Sequence, residues 1–291
     1  MTASLDDGAP VTFRAMTGAD VPQAAHLSRA EGWPHTEADW RLILSVSAGT
    51  VGIDWAGRVV ATAIVTPYGN AVAALALVIV APELRGRGLG RRLATLGIET
   101  SAGRELRLVA TAAARRLYEA LGFRAVAEIV QHQGIAVAGK PPGDVGWAGG
   151  EDLAAIVRLD AAAFGAPRKE LLAALLGAGP VAVLRDGGRI TAFAARRPFG
   201  RGTVVGPVVA PDRETAARLV AGHLAALEGT FVRVDTRTET GLATFLATRG
   251  LTHAGGGTLM VRAPSPSAVA SPRPSPSPAA RTFAIAAQAL G

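Results

Sequence analysis

The sequence predicts an α/β (α+β) fold built twice: two tandem domains, each a mixed, mainly antiparallel twisted sheet flanked by helices. Three observations carry that prediction. Short apolar runs that read as buried strands alternate with stretches whose apolar residues return every three or four positions. The same order of strand and helix signals occurs over residues 11–133 and again over 147–262, the mark of an internal repeat. Between them, 134–146 contains Lys140-Pro141-Pro142-Gly143 and reads as a linker.

The first copy follows a lead-in, 1–10, that reads as flexible. Residues 11–14 are a short strand candidate. A helix starts near Asp20, its cap candidate, with Ala24, Leu27 and Ala30 on its apolar face. The polar-aromatic segment 31–40 leads to a second helix, capped by Thr36 and carrying Trp40, Ile43 and Leu44. Residues 51–54 and 59–66 read as a hairpin around Ala56-Gly57. A strand over 73–80, a helix over 89–100, a strand over 106–110, a helix over 112–121 and a strand over 123–130 complete the copy.

The second copy repeats that order. Helices are expected over 152–164 and 169–176, and a hairpin over 181–185 and 189–196 around Asp186-Gly187-Gly188. Then come strand 203–210, helix 213–227, strand 231–235, helix 241–248 and strand 259–262. From 263 to 291 proline and serine dominate, so this tail is expected to be disordered, ending in a weakly apolar stretch, 282–291, that could dock or fray.

Composition narrows the class. The chain is 49% hydrophobic and 18% charged, as a globular protein is. Its longest apolar run, 71–81, is too short to span a bilayer, and no secretion signal is evident, so no membrane role and a cytoplasmic location are expected. The absence of cysteine excludes disulfides and thiolate chemistry. The net charge of +7 comes almost wholly from arginine, since Lys140 and Lys169 are the only lysines. Those arginines are dense only over 85–92, and aromatics are 5%, which argues against nucleic acid as partner.

The dense stretch is the centre of the sequence. Residues 78–93 read VIVAPELRGRGLGRRL: a strand end, a glycine-arginine turn and a helix start. A helix N-terminus presents unpaired N–H groups and partial positive charge, an anion site. Gly86, Gly88 and Gly90 together cost about 2 kcal/mol relative to alanine. Charge-assisted hydrogen bonds to phosphate, about 1.5–3 kcal/mol each, can offset that; a plain connector has no such source. The spacing fails G-x-G-x-x-G, because Arg91 stands where the third glycine belongs, and it fails the Walker pattern for want of a lysine.

What fits is R-x-x-G-x-G (Arg85, Gly88, Gly90) after a strand ending in V-x-P. Here the sequence resembles the GNAT acetyltransferases. A second stretch, Ala114 to Phe123, resembles that family's A-x-x-L-Y-x-x-x-G-F. The resemblance spans about 11–262 and implies a tandem GNAT fold with acetyl-CoA as co-substrate and no metal. It implies that Arg85, Gly86, Arg87, Gly88, Leu89, Gly90 and Arg91 hold the pyrophosphate. Backbone groups of Val78, Ile79 and Val80, with Thr111 where the family often has asparagine, would receive the pantetheine. Tyr118 would be the general acid for the leaving thiolate, a role a phenol can fill.

The general base is left open among Glu31, His35, Asp39 and a water chain with no dedicated side chain, with Trp33 as a wall of the acceptor site. Histidine titrates in a useful range, whereas Glu37 and Asp39 could be first-turn helix charges. The second copy departs from the pattern. Aligning Val208-Val209-Ala210-Pro211-Asp212 on Ile79-Val80-Ala81-Pro82-Glu83 sets Glu214, Thr215, Ala217 and Leu219 against Arg85, Gly86, Gly88 and Gly90, and Leu246 against Tyr118. That half should not bind a pyrophosphate and is expected to shape or cover the acceptor site. The function expected is transfer of acetyl from acetyl-CoA to an amine of a small molecule or peptide, with a homodimer possible and the oligomeric state left open. The competing reading is a CoA-binding regulatory protein without turnover.

Overall fold

The computed structural model describes residues 11–137, 139–264 and 280–291. The lead-in at 1–10 and the proline-serine run at 265–279 lie outside them.

The first half runs β1 (Thr12–Ala15), α1 (Val21–Ala30), α2 (Glu37–Ser45), β2 (Ala48–Ile53), β3 (Val59–Tyr68), β4 (Val72–Val80), α3 (Leu89–Thr100), β5 (Glu105–Ala110), α4 (Arg115–Glu119) and β6 (Arg124–Ile135). The second runs β7 (Gly146–Trp147), α5 (Leu153–Phe164), α6 (Lys169–Ala178), β8 (Val181–Asp186), β9 (Arg189–Phe199), β10 (Gly202–Ala210), α7 (Arg213–Ala225), β11 (Phe231–Arg237), α8 (Ala243–Thr248) and β12 (Thr252–Arg262). A last strand, β13 (Arg281–Ala284), follows.

Helices cover both faces of the sheet, so β3 and β4 read as almost unbroken apolar runs rather than alternating ones. Val60, Ile64 and Tyr68 of β3 share a core with Ala24 and Leu27 of α1 and with Trp40 and Ile43 of α2. Ala61, Ala63 and Val65 face the other way, with Leu93 and Ala94 of α3. The helix lies close against the sheet there: a Cβ on Gly97 would meet Leu75 Cδ1 at 2.6 Å. Thr36 caps α2 as expected, accepting from the Asp39 amide at 3.2 Å.

Among the described residues the two copies make one sheet of 13 strands, ordered β1-β2-β3-β4-β5-β12-β6-β11-β13-β10-β9-β8-β7. The centre of that order is an exchange. β6, the last strand of the first copy, pairs antiparallel with β11 of the second, from Phe231↔Ile135 to Arg237↔Ile129. β12, the last strand of the second, pairs antiparallel with β5 of the first, from Thr258↔Ala110 to Arg262↔Leu106. The exchanged strands also pair with each other. Each copy is therefore completed by the other's final strand, and the sheet is continuous across the repeat.

The expected disordered tail is corrected at its end. β13 enters the sheet between β10 and β11, with Val208↔Ala284 and Ala210↔Arg281 on one side and Thr236↔Ala284 on the other. Phe283, Ala284 and Leu290 are buried, and Tyr68 Oη donates to the Leu290 carbonyl at 2.5 Å. The physical reason is a slot that matches the segment's apolar pattern. β10 and β11 pair in parallel only at Thr203–Val204 with Val232–Arg233 and then diverge, leaving edge groups that β13 satisfies.

Candidate functional site

Among the described residues, the equivalent slot in the first half holds no such strand. β4 and β5 pair in parallel from Val72↔Glu105 to Ala74↔Arg107 and then separate. Residues 75–80 keep β3 on one side and have no β5 partner on the other. The register of β3 with β4 breaks between Thr62 and Ile64. Opposite that break Leu77 has φ 49, an uncommon conformation for leucine. Its carbonyl is fixed by the buried Thr62 hydroxyl, which donates at 2.7 Å. A bulge with a strained residue at the mouth of a diverging strand pair is a common way of re-aiming backbone groups at a site. Val78, Ile79 and Val80 follow it.

The glycine turn begins where β4 ends. Gly86 and Gly88 have φ 78 and 79, and a Cβ at either would meet no atom within 4 Å. Their need for glycine is therefore conformational, and no described residue crowds either position. Gly88 is the N-cap of α3 and, having no side chain, brings no capping bond of its own. Glycines in the left-handed region, exposed arginines and a helix N-terminus with glycine as its cap suit a diphosphate. Gly90 is the second residue of α3, and a Cβ there would make ordinary contacts, 3.8 Å from Leu117 Cδ2 and 3.9 Å from Val80 Cγ2.

The second half differs at this point. α7 starts at Arg213 with Asp212 as its N-cap, and the Asp212 carboxylate accepts from the Thr215 amide at 2.8 Å. The chain's own carboxylate sits where the first half has glycine. The sequence alignment drew attention to Glu214; the capping carboxylate is its neighbour but one.

Tyr118 is buried in one cluster with Leu93 and Ala94 of α3, Ala110 of β5 and Phe123, with Val78 and Val80 packed against it. Its ring meets Phe123 edge-on at 5.6 Å. Burial pushes its hydroxyl up to about 12, so the phenol keeps its proton at neutral pH. The tyrosine, the glycine turn and the free stretch of β4 thus converge on one end of the diverging strands.

Next to that end lies a cavity of about 350 Å³, and Trp33, His35, Leu77 and Thr111 line it together. Five further polar residues line it that the sequence reading missed: Gln131 and Gln133 of β6, Arg233 of β11, Arg201 and Gln288. Two glutamines at period two in a strand were a usable signal. Residues 287–289 close another side.

The base candidates fare differently. Burial lowers His35 to about 4, its ring packs against Trp33 and Phe199, and its Nδ1 has no partner. It is neutral and only weakly basic. Asp39 is corrected: Oδ1 accepts from Arg197 Nη1 at 2.8 Å, and Oδ2 accepts from the Thr36 amide at 2.8 Å and the Gly200 amide at 3.1 Å. It is a buried structural carboxylate that joins the halves, already saturated with donors. Glu31 is half-buried and ion-paired with Arg85 of the glycine turn. That pair brings the segment between α1 and α2 to the loop.

Two sequence families match this chain. The model described as "Acetyltransferase (GNAT) family" matches residues 21–123, and that described as "Acetyltransferase (GNAT) domain" matches 156–270. The chain belongs to the GNAT acetyltransferase superfamily, in tandem form. Among solved structures, a protein assigned as an acetyltransferase from Pyrococcus horikoshii superimposes with TM-score 0.78 at 16% identity, covering 100% of this chain and 99% of its own. A tandem GNAT protein from the clavulanic acid biosynthesis pathway gives 0.62 at 15% identity, covering 89% of this chain and 100% of its own. An N-acetyltransferase from Sphaerobacter thermophilus gives 0.59 at 21%, covering 87% and 95%. These likenesses bear on the fold. No curated protein matches the sequence significantly. The GNAT fold carries acyl-CoA-dependent acetyl transfer, so this tandem GNAT is an acyltransferase by family. No helix among its described residues is long and apolar enough to cross a membrane.

Proposed function

We propose that the first half of this tandem GNAT holds acetyl-CoA and passes the acetyl group directly to an amine in the adjoining cavity, while the second half serves as scaffold and cavity wall. The observation that carries this is the contrast between helix starts: Gly88 brings no side chain to the start of α3, whereas Asp212 caps α7 with its own carboxylate. The slot beside β10 is likewise filled by β13, and the one beside β4 holds no strand among the described residues.

Bound acetyl-CoA supplies an activated thioester. The amides of Gly86 to Gly90, with Arg85, Arg87 and Arg91, hold its diphosphate. The free backbone edge of Val78, Ile79 and Val80 and the Thr111 hydroxyl orient the chain that carries the acetyl group. Tyr118, protonated at neutral pH, gives its proton to the departing sulfur. Glu31 is the candidate to take the amine's proton, because a diphosphate competing for Arg85 would release its carboxylate; water in the polar cavity is the alternative path. Trp33 and His35 wall the acceptor in.

Two measurements test the proposal together. Calorimetry with acetyl-CoA should show saturable binding at one site per chain, and thiol release should depend on an added amine. Binding that survives Gly88→Asp would place the cofactor elsewhere.

A further inference from the structure

We infer that the acceptor is a small amine that carries its own negative charge, a carboxylate or a phosphate, near the amino group. The inference rests on the cavity being the acceptor site, as proposed above, and adds the class of molecule that fits it.

Its argument is the charge on the walls. Two arginines line the cavity, Arg201 and Arg233, and no aspartate or glutamate does among the described residues. Gln131, Gln133 and Gln288 supply the remaining long polar side chains, neutral groups able to donate to an anion. The carboxylates just behind the walls are already engaged. Glu31 is paired with Arg85, Asp39 with Arg197, and Asp235 with Arg233 through Nε at 2.9 Å and Nη2 at 2.7 Å.

Arginine also exceeds carboxylate in the shell around Phe199, itself a lining residue. The guanidinium groups of Arg197 and Arg233 lie 5.1 Å and 5.2 Å from its ring. Arg197 is almost wholly buried, and its Nε and Nη2 have no hydrogen-bond partner. Arg201 is exposed at the cavity and lies 5.1 Å from the Phe231 ring. Counting Arg197, Arg201 and Arg233 against Asp39 and Asp235 leaves the region positive, and His35 is neutral there. A low-dielectric cavity of one sign concentrates ligands of the other. An alkylammonium or polyamine would find no carboxylate in the lining itself, only Glu31 beyond it once the diphosphate has drawn Arg85 away, whereas an anionic group would find the Arg201 guanidinium and the glutamine amide donors. The volume, about 350 Å³, is at the small end for ligand pockets and suits a metabolite rather than a protein surface.

The test uses the whole protein, acetyl-CoA and matched amines that differ only in the anion: O-phosphoethanolamine with ethanolamine, glucosamine 6-phosphate with glucosamine, aspartate and glutamate with their α-amides, and spermidine as a polycation. Acetyl-CoA binding is measured on the same sample. The expected result is a kcat/KM at least tenfold higher for the anionic member of a pair. Arg201→Gln should shrink that ratio at least fivefold, chiefly through KM, and added salt should shrink it too. Equal or better turnover of uncharged amines or spermidine overturns the inference and leaves the acetyl-CoA reading standing. Acetyl-CoA binding with no anionic amine acetylated overturns it as well. Loss of acetyl-CoA binding itself would remove the site and the inference together.

Discussion

Arg197 Nη1 donates to Asp39 Oδ1 at 2.8 Å, and both side chains are buried, although 158 positions of sequence separate them. One belongs to β9 of the second half, the other to the first turn of α2 beside the acceptor segment. Removing one member strands a buried charge, which costs about 3–5 kcal/mol. Asp39→Ala should therefore lower unfolding free energy by about that much in urea titrations, and Arg197→Leu similarly. The double variant should recover much of the loss. If Asp39→Ala unfolds like the parent, the pair is not a tie between the halves.

The two helix starts should respond in opposite ways. Gly88→Asp forces a side chain into the left-handed region, at about 1–2 kcal/mol, and adds like charge where a diphosphate is proposed. Acetyl-CoA affinity should fall at least a hundredfold. Asp212→Ala removes a helix cap and should cost about 1 kcal/mol of stability while leaving that affinity unaltered. Calorimetry and thermal denaturation of both variants separate the roles.

Tyr118→Phe should reduce kcat about 10²-fold or more, the ordinary contribution of a positioned acid, with little change in KM for acetyl-CoA. Because burial holds the hydroxyl near 12, its proton is retained across the working range. The parent's rate should show no descending limb from this residue below about pH 11. A variant that keeps full kcat would leave the departing sulfur to some other donor.

Two buried histidines predict an acid-sensitive fold. His35 and His223 are both lowered from 6.5 to about 4, in each case chiefly by burial. Between those values the unfolded chain binds protons that the folded chain does not, so stability falls as pH drops from 6.5 towards 4. Each histidine contributes up to about 1.4 kcal/mol per pH unit in that window. His35→Phe should flatten the slope of unfolding free energy against pH by up to that amount. An unchanged slope would mean that His35 is protonated in the native state.

What the sequence made legible was local. Gly86 and Gly88 are needed for backbone angles that few other residues adopt, so the turn announces itself within a few positions. Thr36 with Asp39 marks a capping box in the same way, although the capping role also explains why Asp39 is no free base. Pairing partners are another matter. Period two says which side of a strand faces a helix, not which strand lies beside it. Nothing local to β6 or β12 indicates that each crosses to the other copy. Nor does Arg281–Ala284, four residues after a proline-serine run, reveal a slot formed by strands far away in sequence. Arg201 and Arg233 escaped notice for the same reason: they belong to the second half by sequence and to the first half's cavity by position.

The exchange of β6 and β12 has a practical outcome for anyone dividing this polypeptide. A fragment cut near residue 140 would keep the glycine turn and Tyr118 yet lose the neighbour that β5 requires, presenting bare edges to its own kind. Such halves should self-associate or precipitate when made singly, and regain solubility only when produced side by side.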